Sequence, residues 1–369
     1  MNTSPLSTLK DIVKKGKFSF DKNFSIAWQS PSNIAIVKYW GKKNGQFPVN
    51  PSLSMTLDKA VTRTLVQVLC NEPVKGLVSV NGDRNHPYLP KMQQLLKWLS
   101  AEIPLFNEIT LDVTTVNTFP HSTGIASSSS GISAFTLCLL EIAGEITKTE
   151  TETHDFLRMA SHVARMGSGS ACRSLYSGFT VWGETSIIPG TSDEFAIPVV
   201  DSIHPEMLSL HDAILIISGA PKSLPSTLGH ETMNGHPFSG GRITQAHQNL
   251  ETAVEALKAN DLEKLCSVAE NEALTLHALI MSANPGVLLM KPATVEAIHR
   301  VREARKRGNP VFFTLDAGAN LHVMYPANSV SMVEEFIRDA LQPLCEEGFV
   351  IFDRCGSGPL RLDESFNNG

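Results

Sequence analysis

The segment ITLDVTTVNTF, residues 109–119, alternates apolar and polar side chains with a period of two, which predicts a half-buried strand. Earlier runs, IAIVKYW (34–40), VTRTLVQVLC (61–70) and LVSVNG (77–82), also read as strands, separated by turn residues such as the turn-rich FPVNPSLS (47–54). A helix, PKMQQLLKWLSAEI (90–103), interrupts them. After the Gly/Ser-rich PHSTGIASSSSG (120–131), Ile132, Phe135, Leu139 and Ile142 fall on one helical face, with Gly144 as the expected stop. Further helices are expected at 151–166, 240–258, 261–281, 293–307 and 329–344. Strands are expected at DAILIIS (212–218), PVFFTLDAG (310–318), LHVMYP (321–326) and GFVIFD (348–353). Strands with interspersed helices, then helices around a small antiparallel sheet, make the fold class α+β, with no internal repeat.

The chain of 369 residues is long enough for about two domains. With 42% hydrophobic and 18% charged residues it has the composition of a globular protein that buries a sizeable core. Thirty-one basic against 37 acidic side chains give a net charge of −6, which argues against nucleic-acid binding, so any anion site must be local. No apolar run of spanning length and no secretory signal pattern is expected, so no membrane partner is called. The six cysteines are scattered without CxxC or Cys/His spacing, which argues against structural zinc and a disulfide framework and for a cytoplasmic location.

Four stretches carry candidate chemistry. The Gly/Ser-rich turn opening a helix leaves backbone N–H groups and the hydroxyls of Ser127–Ser130 free to hold phosphate, or it is a serine-rich helix cap. It lacks the Lys-Ser/Thr of a Walker loop. In RMGSGSACRSLYSGFTVWG (165–183), Arg173 sits among small residues where a carboxylate or phosphate could reach its fork; a surface salt bridge is the alternative. Asp316 ends the apolar run FFTLD at a Gly-containing turn, either as a turn cap or as an acid/base. Lys38, Lys42 and Lys43 in NIAIVKYWGKKN (33–44) are either a solvated basic face or a polyanion site. Together these supply the inventory for phosphoryl transfer to a small, acidic, phosphorylated alcohol.

The segments PSNIAIVKYWGKKN, NPSLSMTL, FPHSTGIASSSSGISAF, GSGSACRSLYSGF and FTLDAGAN, in that order, resemble the diphosphomevalonate decarboxylase family, in the superfamily of galactokinase, homoserine kinase, mevalonate kinase and phosphomevalonate kinase. Residues 1–24, polar with little periodicity, read as an extension without a counterpart in the family. The resemblance implies a GHMP-kinase fold: a ribosomal protein S5 domain 2-like domain over 25–205, then a ferredoxin-like domain over 206–369, with the active cleft between. It implies a homodimer that uses ATP and Mg2+; no metal-ligand spacing joins His121, His230, His236 and His322, so no metal-ligating residue is expected. The implied reaction converts mevalonate 5-diphosphate to isopentenyl diphosphate, ADP, phosphate and CO2 through 3-phosphorylation. Alternatives on the same fold are a phosphomevalonate decarboxylase, a mevalonate 3-kinase and an inactive nucleotide-binding homologue.

Position by position, the resemblance implies that Asp316 is the base or orienter beside the 3-hydroxyl, with Lys38 next to it. Arg173 holds the substrate carboxylate and Asn33 orients both. Tyr39 and Lys42 meet the substrate diphosphate, and Ser170 and Ser226 lie near the substrate. Gly124, Ser127, Ser128 and Ser129 form the ATP phosphate loop. The chain departs from the family pattern at His121, Ser122 and Thr123, at Thr227, and at His230, where the pattern reads methionine after glycine.

Overall fold

The structure, a computed structural model, describes residues 22–363 apart from 44–45, 71, 73, 87, 121–124, 126, 149–152, 221–223 and 225. Most of the expected N-terminal extension lies outside the described residues; Phe24 already opens the first strand. Two long strands, β1 (Phe24–Val37) and β4 (Ser52–Leu69), pair antiparallel from Phe24↔Val68 to Val37↔Leu53. Near Phe24 and Leu69 exposed and buried positions intersperse, whereas Ser30–Val37 and Ser52–Leu57 are buried on both faces. The run IAIV lacks alternation because Ile34, Ile36 and Val37 all pack in one apolar core and Ala35 between them is buried as well. The FPVNPSLS stretch read as turn is corrected: Phe47–Pro48 forms β3, paired with β2 (Lys42–Lys43), and Ser52 and Ser54 already belong to β4. Their hydroxyls are buried and bonded, Ser54 to Thr180 at 3.1 Å, so a tertiary partner replaces the local turn contact that serine favours.

β6 (Thr110–Asn117) pairs antiparallel with β4, and β5 (Gly76–Val80) lies parallel to β6. β7 (Phe179–Trp182) and β8 (Ala196–Pro198) extend the sheet from the other end of β4. Helices α1 (Leu89–Glu102), α2 (Ser127–Thr147) and α3 (Thr153–Gly167) pack on this sheet. Leu95, Leu99, Phe135, Leu139 and Ile142 meet Val66, Val68, Leu111 and Val113 in its core. α2 runs past Gly144, correcting the expected stop, because Ile146 still packs on that core and Thr147 Oγ donates to the Ala143 carbonyl at 2.7 Å. By length and apolarity α2 is the one helix among the described residues that could cross a membrane, and it is largely buried against β1 and β4.

The second sheet runs β10–β11–β9–β12, all antiparallel: β9 (His211–Leu215), β10 (Phe312–Thr314), β11 (Leu321–Tyr325) and β12 (Val350–Arg354). One face meets α5 (Ser239–Ala259) and α6 (Leu262–Ser282), and a shared core of Ile34, Leu53, Met55, Phe179, Ile214, Leu250, Leu257, Ala269 and Phe312 ties it to the first sheet. The other face, with Phe313, Val323 and Tyr325, packs on α7 (Pro292–Lys306) and on Val333 and Ile337. The expected helix over 329–344 is α8 (Val330–Phe336), which widens into a π turn at Ile337–Leu341. Asp353 accepts the N–H groups of Asp58, Lys59 and Ala60 at 2.9, 2.9 and 2.7 Å, binding the second sheet to β4. After it, β13 (Leu360–Leu362) returns to pair with Ala27–Gln29 of β1.

Candidate active site

The register of β1 against β4 shifts between Pro31 and Asn33 and again between Ala35 and Val37. Such bulges re-aim the residues that follow them. Lys38, just past the end of β1, is 1% exposed and pairs with Asp316, which lies two residues beyond β10, at Nζ–Oδ1 2.9 Å. Asp316 keeps 28% of its side chain exposed, so the pair has one dry and one wet end. Burial pulls the Lys38 ammonium below its ordinary 10.5 against the opposing pull of Asp316 and Glu272.

The lysine backbone is clamped as well. Glu272 of α6 accepts the Lys38 N–H at 2.8 Å, while Arg242 of α5 and Asn50 each donate to the Lys38 carbonyl at 3.0 Å. Arg242 and Glu272 form a two-pronged ion pair of 2.6 and 2.7 Å with both side chains buried. His277 meets the Asp316 carbonyl at 3.1 Å. Sequence reasoning missed Arg242, Glu272, Asn50 and His277, because each partner lies on another element and no local spacing joins them.

Arg173 sits in the 3-10 turn Gly169–Leu175, is 3% exposed and donates one N–H to Ser52 Oγ at 2.7 Å. Asn33 donates to Ser174 Oγ at 2.8 Å. Several polar atoms around them are buried without a hydrogen-bond partner among the described residues: Arg173 Nε, Asn33 Oδ1, Tyr39 Oη and Trp40 Nε1. Orphaned donors and acceptors are costly unless a bound molecule satisfies them. Gly169 lets this turn approach: a Cβ there would lie 2.8 Å from Tyr39 Oη.

These groups line one cleft of about 620 Å³, together with Lys42, Lys91, Ser128, Ser170 and His230. Among the described lining residues Lys38, Lys42, Lys91 and Arg173 face the single carboxylate of Asp316, so a chain of net charge −6 concentrates positive charge here. Burial and the neighbouring Lys42 hold Lys91, which sequence reasoning missed, down to about 8. Of the serine run, Ser128 reaches the lining, while Ser129 is buried and hydrogen-bonded to Ser170. Ser130 turns to Thr62 at 2.6 Å, which corrects the expectation that all four hydroxyls face outward. Ser127 opens α2, Gly124 lies outside the described residues, and Ser226 opens the short helix α4 (Ser226–Glu231) with its side chain outside them. Among the described residues no His/Cys/Asp/Glu cluster could hold a metal.

A buried lysine–carboxylate pair, an arginine fork and a cationic wall in one cleft define an enzyme that acts on a small, multiply anionic molecule. The comparisons narrow the class. The diphosphomevalonate decarboxylase-like N-terminal domain matches residues 30–195, and the mevalonate 5-diphosphate decarboxylase C-terminal domain matches residues 213–356. The diphosphomevalonate decarboxylase of Candida albicans is 29% identical over 316 residues, 82% of this chain and 84% of its own. Mevalonate diphosphate decarboxylase from Staphylococcus aureus superposes with a TM-score of 0.78 at 25% identity, covering 93% of this chain and 99% of that one. The Enterococcus faecalis enzyme does so at 0.76 and 27%, covering 93% and 100%. A further solved relative, with a TM-score of 0.75 at 26% identity and covering 93% and 100%, is a complex with MVAPP, AMPPCP and magnesium. The chain belongs to the diphosphomevalonate decarboxylase family and has its GHMP-kinase fold.

Proposed function

We propose that this chain converts mevalonate 5-diphosphate and ATP to isopentenyl diphosphate, ADP, phosphate and CO2, with Mg2+. The observation that carries the reading is the Lys38–Asp316 pair, 2.9 Å apart, in the same cleft as Arg173. A tertiary hydroxyl leaves poorly, so it is first phosphorylated; Asp316 orients that hydroxyl or accepts its proton, and Lys38 offsets the charge that builds on the transferring group. Arg173 holds the carboxylate with parallel N–H bonds, one of them from Nε, which lacks a partner among the described residues; Asn33 orients substrate and arginine, its unpartnered Oδ1 there to accept from a donor. When phosphate departs, positive character at the adjacent carbon draws out the carboxylate electrons and CO2 leaves. Tyr39 and Lys42 take the diphosphate, with Ser170 and Ser226 near the substrate. Gly124, Ser127, Ser128 and Ser129 cradle the nucleotide phosphates, Ser129 through its backbone N–H at the start of α2, since its hydroxyl is buried on Ser170. With the nucleotide phosphates held there, Mg2+ would neutralise their charge and would need few protein ligands.

The cationic wall of Lys42 and Lys91 favours a substrate with two phosphates over one. The reading extends to a domain boundary near residue 205, a homodimer and a cytoplasmic location. The test follows ADP and CO2 together, with mevalonate 5-diphosphate and 5-phosphate offered separately. Equal release of both products from the diphosphate is expected. ADP without CO2 refutes the decarboxylase reading in favour of a kinase, and turnover of the monophosphate alone refutes the substrate.

A further inference from the structure

His230 is a titratable group inside the cleft to which the proposed reaction gives no task. It is 7% exposed and lines the cleft with Tyr39, Trp40, Lys42, Arg173 and Asp316. Its position is built. Gly229 lies so close to Trp40 that a Cβ there would be 2.5 Å from the indole, so α4 can dock this tightly only with glycine. The imidazole then packs against Tyr39 and Trp40, with centroids 4.3 and 5.0 Å away and ring planes tilted by 42° and 35°.

The tautomer follows from one contact. The Gly41 N–H donates to His230 Nδ1 at 3.0 Å, and a backbone amide has no acceptor to offer in return. Nδ1 is therefore the bare nitrogen, and a neutral ring carries its proton on Nε2. Burial, then Lys42 and Arg173, push the imidazole down to about 3, so it is neutral near pH 7. Among the described residues no group accepts from Nε2. A neutral N–H donor is thus held rigidly at the cationic end of the cleft, beside Lys42. A second cation there would repel Lys42; an uncharged donor adds direction without that cost.

Resting on the function proposed above, we propose that His230 is a specificity-determining residue whose Nε2–H donates a hydrogen bond to a phosphate oxygen of the substrate diphosphate, next to Lys42. Lysine supplies charge there but little direction, since its ammonium is a mobile point charge. The imidazole supplies direction, and it selects an acceptor oxygen at a fixed distance from the carboxylate that Arg173 holds.

Two variants separate this role from a structural one. H230N keeps an acceptor where Nδ1 receives the Gly41 N–H and removes the outer donor. H230Q keeps an amide N–H near the Nε2 position. With H230N, KM for mevalonate 5-diphosphate is expected to rise about tenfold, the usual worth of one hydrogen bond to a charged group. KM for ATP and the thermal midpoint should stay near the parent values, and H230Q should recover most of the loss. A parent-like KM in H230N overturns the proposal. So does a KM that rises equally in both variants in step with lost thermal stability. Calorimetric titration of the parent protein with mevalonate 5-diphosphate comes first and tests the function by itself. No binding there overturns the underlying reading, whereas binding that H230N leaves unchanged overturns only the role of His230.

Discussion

Replacing Arg242 with methionine tests whether the buried ion pair behind Lys38 holds that lysine in position. Glu272 is fully buried and accepts four N–H groups: two from Arg242 at 2.6 and 2.7 Å, one from Asn249 at 2.7 Å and the Lys38 amide at 2.8 Å. R242M leaves the carboxylate charged, dry and half-solvated by neutral donors, and it strips one donor from the Lys38 carbonyl. Breaking a buried pair from one side costs about 3–5 kcal/mol. E272Q keeps the shape but sets an amide N–H against a guanidinium N–H, at about 1–3 kcal/mol. Because each single change strands the other partner, R242M/E272Q should cost less than the sum, with a coupling of about 1–3 kcal/mol. A clamp weakened on one side of the Lys38 backbone in each single variant, and on both sides in R242M/E272Q, should lower kcat by about 10–100-fold even where stability recovers, since a misplacement of about 1 Å costs on that order. Urea unfolding followed by tryptophan fluorescence gives the stabilities, and coupled ADP release gives kcat. An R242M cost below about 1 kcal/mol, or singles that add within about 0.5 kcal/mol, would refute the argument.

Other changes probe the cleft itself. D316N should lower kcat by about 10²–10⁴-fold while both substrates still bind, as read by turnover and by calorimetry; parent-like turnover removes Asp316 from the chemistry. R173K should raise KM for the substrate about 10–100-fold, because a point charge replaces a fork, and steady-state kinetics would show it. G169A brings a Cβ to 2.8 Å from Tyr39 Oη and 2.9 Å from Trp182. It should destabilise by about 1–3 kcal/mol in urea melts and displace Tyr39, with KM rising before kcat falls. Acid should expose His230: its folded pKa of about 3 lies below the ordinary 6.5, so the unfolded chain binds the extra proton between those values. The stability is complete above about pH 6.5 and is lost as pH falls toward 3, about 2 kcal/mol by pH 5. H230Q should lack that component when urea midpoints near neutrality and at about pH 5 are compared; the same acid slope in both proteins would contradict it.

What could be read along the chain was whatever depends on near neighbours. Leu95 and Leu99, and Ile132, Phe135, Leu139 and Ile142, face the core because helical spacing puts them on one side, and the helices form where that spacing runs. The alternating ITLDVTTV stretch is a strand for the same reason. Local rules failed where distant contacts outweigh them. Gly144 does not stop α2, since Ile146 has core to cover. The serines that open β4 extend instead of turning, since Arg173 and Thr180 bond their hydroxyls.

For the site, the sequence by itself marks Lys38, Arg173 and Asp316 as charges beside small residues or apolar runs, and it supplies the excess of lysine near the first strand. It carries no sign of Arg242 and Glu272, 30 residues apart in sequence, nor of the unprotonated nitrogen that Gly41 imposes on His230. Only the tertiary structure decides which buried charge finds its counter-charge and which nitrogen is left to donate. Periodicity records which way a side chain points within its own element. Electrostatic and hydrogen-bond compensation depends on distances across elements, and folding alone sets those.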